Sequence, residues 1–215
     1  MKKIVTFLLV VFLLSACRSE LLAADQLPWI GDGQVLFKDD FSTRTGGWIT
    51  QDNRLNFSGY DAGGFRLWTD IPNYQVWSVP GLNFKDALIF TRTTKLGGPD
   101  NNIFGLLCRY QDDDNFYAFM ISSDGYYGIF RNLEGRQSLI DQPFMQFSEV
   151  IHRGEEINRI VGVCQSNQLQ LIVNDTVLIT VQDDALTYGD VGFIAGSFSD
   201  PGVDILFNEF FVLQP

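Results

Sequence analysis

The chain has 215 residues, 46% of them hydrophobic and 14% aromatic, and a formal net charge of −11. A surface that acidic repels phosphate backbones and anionic headgroups, which argues against a nucleic-acid partner. One histidine and three cysteines exclude zinc sites built from several imidazoles and thiolates, and leave any histidine triad dependent on His152 alone.

The first element is N-terminal. Lys2 and Lys3 are followed by an uncharged apolar run, Ile4 to Leu14, and then by Ser15-Ala16-Cys17. The run is too short for a membrane-spanning helix, which needs about 20 residues, but it suits the core of a secretory signal. Leu14-Ser15-Ala16-Cys17 resembles the lipobox of bacterial lipoproteins. That resemblance implies a signal peptide over 1–16 and a mature chain starting at Cys17. The cysteine would carry a diacylglyceryl thioether on sulfur and an acyl chain such as palmitate on its amine. An ordinary signal is the alternative. Cutting after Ala16 or Ala24 puts Leu14 or Leu22 where a small residue is wanted, whereas cutting after Cys17 would put Ser15 there. Two or more acyl chains hold a protein on a bilayer stably. The expectation is an extracytoplasmic domain whose membrane partner is reached through Cys17, at the cell surface or on the periplasmic face. Loss of Lys2 and Lys3 takes the net charge to −13. Residues 17–33 read as the lipidated N-terminus and tether, and 34–215 as one domain, since roughly 190 residues suffice for a sizeable core.

From there the chain shows aromatic and β-branched runs, frequent glycine, and turns every eight to twelve residues, the pattern of an all-β sandwich or barrel. Strands are expected around Val35–Phe41, Phe65–Trp68, Gln75–Val79, Leu88–Thr94 and Ile103–Gln111. Asn115 to Ser122 is apolar on both faces and reads as a central, covered strand; Asp124-Gly125 turns it into Tyr126 to Asn132. A short helical turn is expected near Pro143–Phe147. Further strands follow at Ile157–Cys164, Gln168–Val173, Thr176–Gln182, Val191–Ser197 and Ile205–Leu213, with Asn174-Asp175 as a hairpin turn. A dozen strands in one domain implies two packed sheets.

With Cys17 assigned to lipid, Cys108 and Cys164 remain, both inside strand-like runs. Exported compartments are oxidising, so a Cys108–Cys164 disulfide is expected, worth about 4 kcal/mol by loop entropy. Two buried free thiols are the alternative.

Asp39-Asp40-Phe41, Gly47-Trp48, Phe104 to Asp112, Asn115-Phe116-Tyr117, Ser123-Asp124-Gly125-Tyr126, Leu171 to Asp175, Gly189 to Phe193 and Phe207 to Phe210 together resemble the concanavalin A-like lectin/glucanase jelly roll, in its laminin-G-like and keto-disaccharide-hydrolase-like branches. The likeness covers about residues 35–213. It implies a two-sheet antiparallel sandwich and a carbohydrate-related role. Fold by itself does not choose among lectins, hydrolases and domains without a ligand. The turn usually read as Asn-Gly is Asn174-Asp175 here, which leaves the turn type open.

Catalytic chemistry finds little support in the residues. A retaining glycosidase needs two carboxylates about 5 Å apart, and the Glu-x-Asp-x-x-Glu-like strand of the glucanase branch is missing. His152 sits in a charged turn. Asp112, Asp114 and Asn115 are weak candidates for a structural calcium, which takes six to eight oxygens; Asp39 or Asp40 meeting Asn208 or Glu209 is another. No other cofactor is expected. Aromatics remain, because sugars stack on ring faces while amides and carboxylates bond their hydroxyls. Trp68 and Trp77, on neighbouring expected strands with Tyr74 between them, are the candidate ligand-binding residues. The alternative for them is the sandwich core. The expected function is non-enzymatic binding of carbohydrate. A protein-interaction module for a surface protein and a sugar-acting hydrolase of unrecognised mechanism are the rivals.

Overall fold

Alternation of apolar and polar residues along short runs builds strands, and among the described residues there are sixteen. The computed structural model describes residues 34–215; the signal peptide over 1–16, Cys17 and the tether over 17–33 lie outside the described residues. In chain order the strands are β1 (Val35–Asp39), β2 (Gln51–Asp52), β3 (Asn56–Asp61), β4 (Gly64–Thr69), β5 (Gln75–Ser78), β6 (Ala87–Gly97), β7 (Asn102–Asp112) and β8 (Asn115–Ile121). They continue with β9 (Tyr126–Leu133), β10 (Arg136–Leu139), β11 (Gln146–Phe147), β12 (Asn158–Gln165), β13 (Gln168–Val173), β14 (Thr176–Gln182), β15 (Asp190–Ser197) and β16 (Val203–Leu213). Sheet A has the order β14-β13-β12-β6-β16-β4-β3-β2, with β1 also on β16; sheet B has β10-β9-β8-β7-β15-β5, with β11 on β9. Every pairing between them is antiparallel. The all-β, two-sheet jelly-roll sandwich is the observed architecture. No described residue is helical. The expected helical turn at Pro143–Phe147 is a bend followed by β11, because Gln146 and Phe147 pair with Tyr127 and Tyr126 of β9.

The two inner faces meet in an aromatic stack. Trp48 lies parallel to Phe193 at 4.8 Å between centroids, and Phe193 stacks on Phe207 at 4.1 Å. Phe210 meets Trp48 edge-on at 5.0 Å. The indole Nε1–H of Trp48 donates to Asp39 Oδ2 at 2.9 Å, so this buried tryptophan keeps its polar atom satisfied. Cys108 on β7 and Cys164 on β12 are bonded, stapling sheet B to sheet A across the same core.

Immediately after Cys108 the ladder breaks. Arg109 takes a left-handed backbone (φ 52°) at the point where β7 shifts register against both β8 and β15. This bulge turns its side chain into the interior, where it is 1% exposed. Its guanidinium donates to the carbonyls of Lys85 (3.1 Å), Leu186 (2.8 Å) and Ser166 (2.6 Å), with the Asp86 carboxylate 3.5 Å away.

The Asn174-Asp175 turn resolves into a two-residue loop with both residues left-handed (φ 46° and 69°), the type I′ geometry that matches strand twist. The Asn174 amide donates to the Val150 carbonyl and to Asn158 Oδ1, both at 2.8 Å, and Asp175 pairs with Arg159. Asp175 thereby occupies a position where glycine is the easier residue.

Candidate binding groove on sheet B

The strands of sheet B are apolar on their outer face as well as their inner one. Val79, Ile103, Leu107, Phe116, Ala118, Met120 and Ile194 form a second buried cluster there, roofed by the half-buried Trp77, Tyr110, Phe130 and Met145. An open sheet face would leave those side chains wet, so something must close over them.

The closure is the sheet's own curl. Gln75 on β5 and Gln137 on β10 belong to the two edge strands of the main path, yet each amide donates to the other, at 3.0 and 3.2 Å. In a flat sheet the strands are spaced about 4.8 Å apart, and five such steps exceed the reach of two glutamine side chains. Two glycines leave room for side chains of those edge strands. A Cβ on Gly196 would sit 2.7 Å from Gln75 Cγ, and one on Gly128 would sit 2.5 Å from Leu139 Cδ2.

At one end of this face the acidic turn between β7 and β8 folds against the roof. Trp77 Nε1–H donates to Asp113 Oδ1 at 3.1 Å, and the Tyr110 hydroxyl donates to the same oxygen. Both rings lie 6.0 Å from that of Phe116. Burial, reinforced by the hydrogen bond to Asp113, pushes the Tyr110 phenol up to about 12.

What remains open is a groove of about 640 Å³, whose lining includes Tyr74, Gln75, Trp77, Gln137, Phe144 and Phe198. Tyr74 and Phe198 are 40% and 37% exposed and Phe144 is 76% exposed, so three rings stand at its mouth. Aromatic faces beside neutral amides can stack an apolar ring face while hydrogen-bonding hydroxyls. Among the described residues no carboxylate lines the groove, so they supply no pair for the two-carboxylate mechanism there.

Of the residues expected from sequence, Tyr74 and Trp77 are brought together and Trp68 is not. Trp68 lies on β4 of sheet A, opposite Phe57 and Asp204, while Phe65 and Leu67 of the same strand enter the core. The chain changes sheets between β4 and β5, so residues nine apart end on opposite outer faces of the sandwich. Sequence reasoning missed Gln75, Gln137, Phe144 and Phe198. Phe144 carried a faint signal, an aromatic residue directly after Pro143 in a polar stretch.

The calcium candidates are spent on the turn itself. Asp112 Oδ1 accepts from the Asp114 amide (2.9 Å) and from Asn115 Nδ2 (2.8 Å), and Asn115 Oδ1 accepts from the Glu134 amide (3.1 Å). Asp39 is held by Trp48 and Phe41, and Glu209 pairs with Arg92. Among the described residues no group of three or more His, Cys, Asp or Glu side chains is placed to hold a metal. His152 is an exposed loop residue whose Nδ1 lies 2.9 Å from the Ile157 carbonyl.

By sequence, the chain matches no family model and no curated protein. By structure it matches a carbohydrate-binding module, CBM66, from Bacillus subtilis, with a TM-score of 0.62 and 15% identity over 75% of this chain and 92% of that one. A GH16 protein of a Bacteroides ovatus mixed-linkage glucan locus, solved with an oligosaccharide product, gives 0.61 and 10% over 83% of this chain and 100% of that one. A Bacillus licheniformis β-glucanase gives 0.58 and 12% over 83% and 97%. The shared fold is the two-sheet jelly roll. At such low identity the likeness speaks for the jelly roll alone.

Proposed function

We propose that this jelly roll binds carbohydrate in the groove of sheet B, as a domain held at an extracytoplasmic membrane surface by lipid on Cys17. The observation that carries the binding reading is the groove itself, in which Tyr74, Trp77 and Phe198 ring faces stand beside the paired amides of Gln75 and Gln137. Rings supply stacking area and amides supply both donors and acceptors, which is what a sugar presents in complement. A carbohydrate-binding module and a glucan-acting protein with bound product sharing the fold support the same reading. The anchor rests on the Lys2-Lys3 start, the short apolar run and the small residues before Cys17.

The test is a broad glycan array probed with the full chain in detergent. Some glycan class should bind. Tyr74→Ala and Trp77→Ala should each weaken it by about 1 kcal/mol, a stacking-sized loss, while Trp68→Ala leaves it unchanged and circular dichroism shows all three folded. Silence on every glycan would overturn the reading in favour of a protein partner, for which the exposed Phe144 is the natural anchor. Mass spectrometry of the mature N-terminus tests the anchor: a Cys17 terminus carrying both the diacylglyceryl thioether and an acyl chain on its amine is expected, and an unmodified or different terminus refutes it.

A further inference from the structure

The reading above leaves the class of glycan open, and the groove bears on it. Its polar lining consists of Asn73, Gln75, Gln137 and Ser197 with Tyr74 and Trp77; among the described residues no side chain of either charge lines it. The carboxylate nearest to it through Trp77, that of Asp113, already accepts from Trp77 and Tyr110. Around this neutral strip the domain is strongly acidic. Three basic and three acidic residues precede position 34, so residues 34–215 carry the whole −11. By contrast, the hollow at the edge of sheet A is lined by both Arg44 and Asp52.

We infer, on the strength of the carbohydrate reading, that the groove takes uncharged glycans and rejects anionic ones, with Gln75 and Gln137 as the specificity-determining pair. A uronate or sulfate entering it would lose water without meeting a cation, against a negative field from the surrounding surface. An amide reads hydroxyls instead, because it donates and accepts at once. The two amides satisfy each other across the groove. A sugar hydroxyl can take the place of either partner, so the exchange conserves hydrogen bonds, whereas a charged group strands one amide dipole against it. Discrimination of this kind comes from what the site fails to pair as much as from what it binds.

Affinity electrophoresis of the full chain in detergent decides it, with gels containing β-glucan, xylan or fructan as neutral probes and polygalacturonate, alginate or a sulfated galactan as anionic ones, at low and physiological salt. At least one neutral polymer should retard the protein, and no anionic polymer should at either salt concentration. Gln137→Lys, on an exposed edge position, should weaken retention on the neutral polymer by about tenfold, the order of one lost hydrogen-bonding match, and create retention on polygalacturonate. Gln75→Lys serves as the second variant. Wild-type retention on an anionic polymer that Tyr74→Ala abolishes would overturn the neutral-glycan inference and leave the carbohydrate reading standing. Retention on none of the six would overturn both. Lysine variants that bind as the wild type does would remove the glutamine pair from the specificity role.

Discussion

Two apolar clusters in this molecule come from the same alternation of residues, one between the sheets and one on the outer face of sheet B. The first is sealed by a second sheet and a disulfide, and its tryptophan, Trp48, is 6% exposed with its nitrogen held by Asp39. The second is sealed only by the curl of its own sheet, by a glutamine pair and by half-buried rings, and its tryptophan, Trp77, is held by the exposed Asp113. The difference is one of cover. A core closed by backbone on both sides does nothing but fold, whereas a core closed by side chains presents those side chains to whatever approaches.

The comparison can be broken most forcefully at Trp48. Trp48→Ala should cost about 3–5 kcal/mol of stability, seen as a large fall in the denaturant midpoint, with no change in glycan affinity for the fraction that remains folded. A small stability loss there would contradict the distinction between the clusters. Removing the staple comes next. The double variant Cys108→Ala, Cys164→Ala should lose about 2–4 kcal/mol, since the loop it closes spans 56 residues, again without altering the groove. The smallest effect is expected in the roof. Tyr110 keeps its proton in the folded state up to about pH 12, whereas an unfolded tyrosine releases it near 10. The folded chain therefore binds more protons between those values, and its stability should fall as pH rises through that window. Ultraviolet titration of the phenolates should lose a late-ionising tyrosine in Tyr110→Phe; loss of one that ionises near the ordinary value of about 10 instead would mean that the Tyr110 ring is not buried in the roof.

Much of the fold was legible because burial imposes period two. Strands such as Gln168–Val173 and Thr176–Gln182 were readable to the residue, and the apolar run of Asn115 to Ser122 marked a strand covered on both faces, which ends one residue earlier at Ile121. Strands β3 (NFSGYD) and β10 (RQSL) were missed because short segments rich in polar residues carry no such period. The site was legible only in part. Trp77 and Tyr74 were found by residue type, but composition cannot say that the chain crosses between sheets after Thr69, and so could not separate Trp68 from them. Gln75 and Gln137 lie 62 residues apart and meet only because the two edges of sheet B curl toward each other, a long-range closure that no local pattern announces.

Arg109 has a consequence for how the domain opens. Its three carbonyl acceptors come from Lys85, Ser166 and Leu186, in segments that are remote in the chain. Lifting away any one of those segments withdraws an acceptor from a guanidinium that is shut off from water, and an incompletely satisfied buried cation is among the costlier states a protein can visit. Partial opening is therefore penalised at all three places by the same group. The loop before β6, the turn between β12 and β13 and the stretch leading into β15 are tied into a single cooperative unit, whose amides should exchange with solvent together rather than one loop at a time.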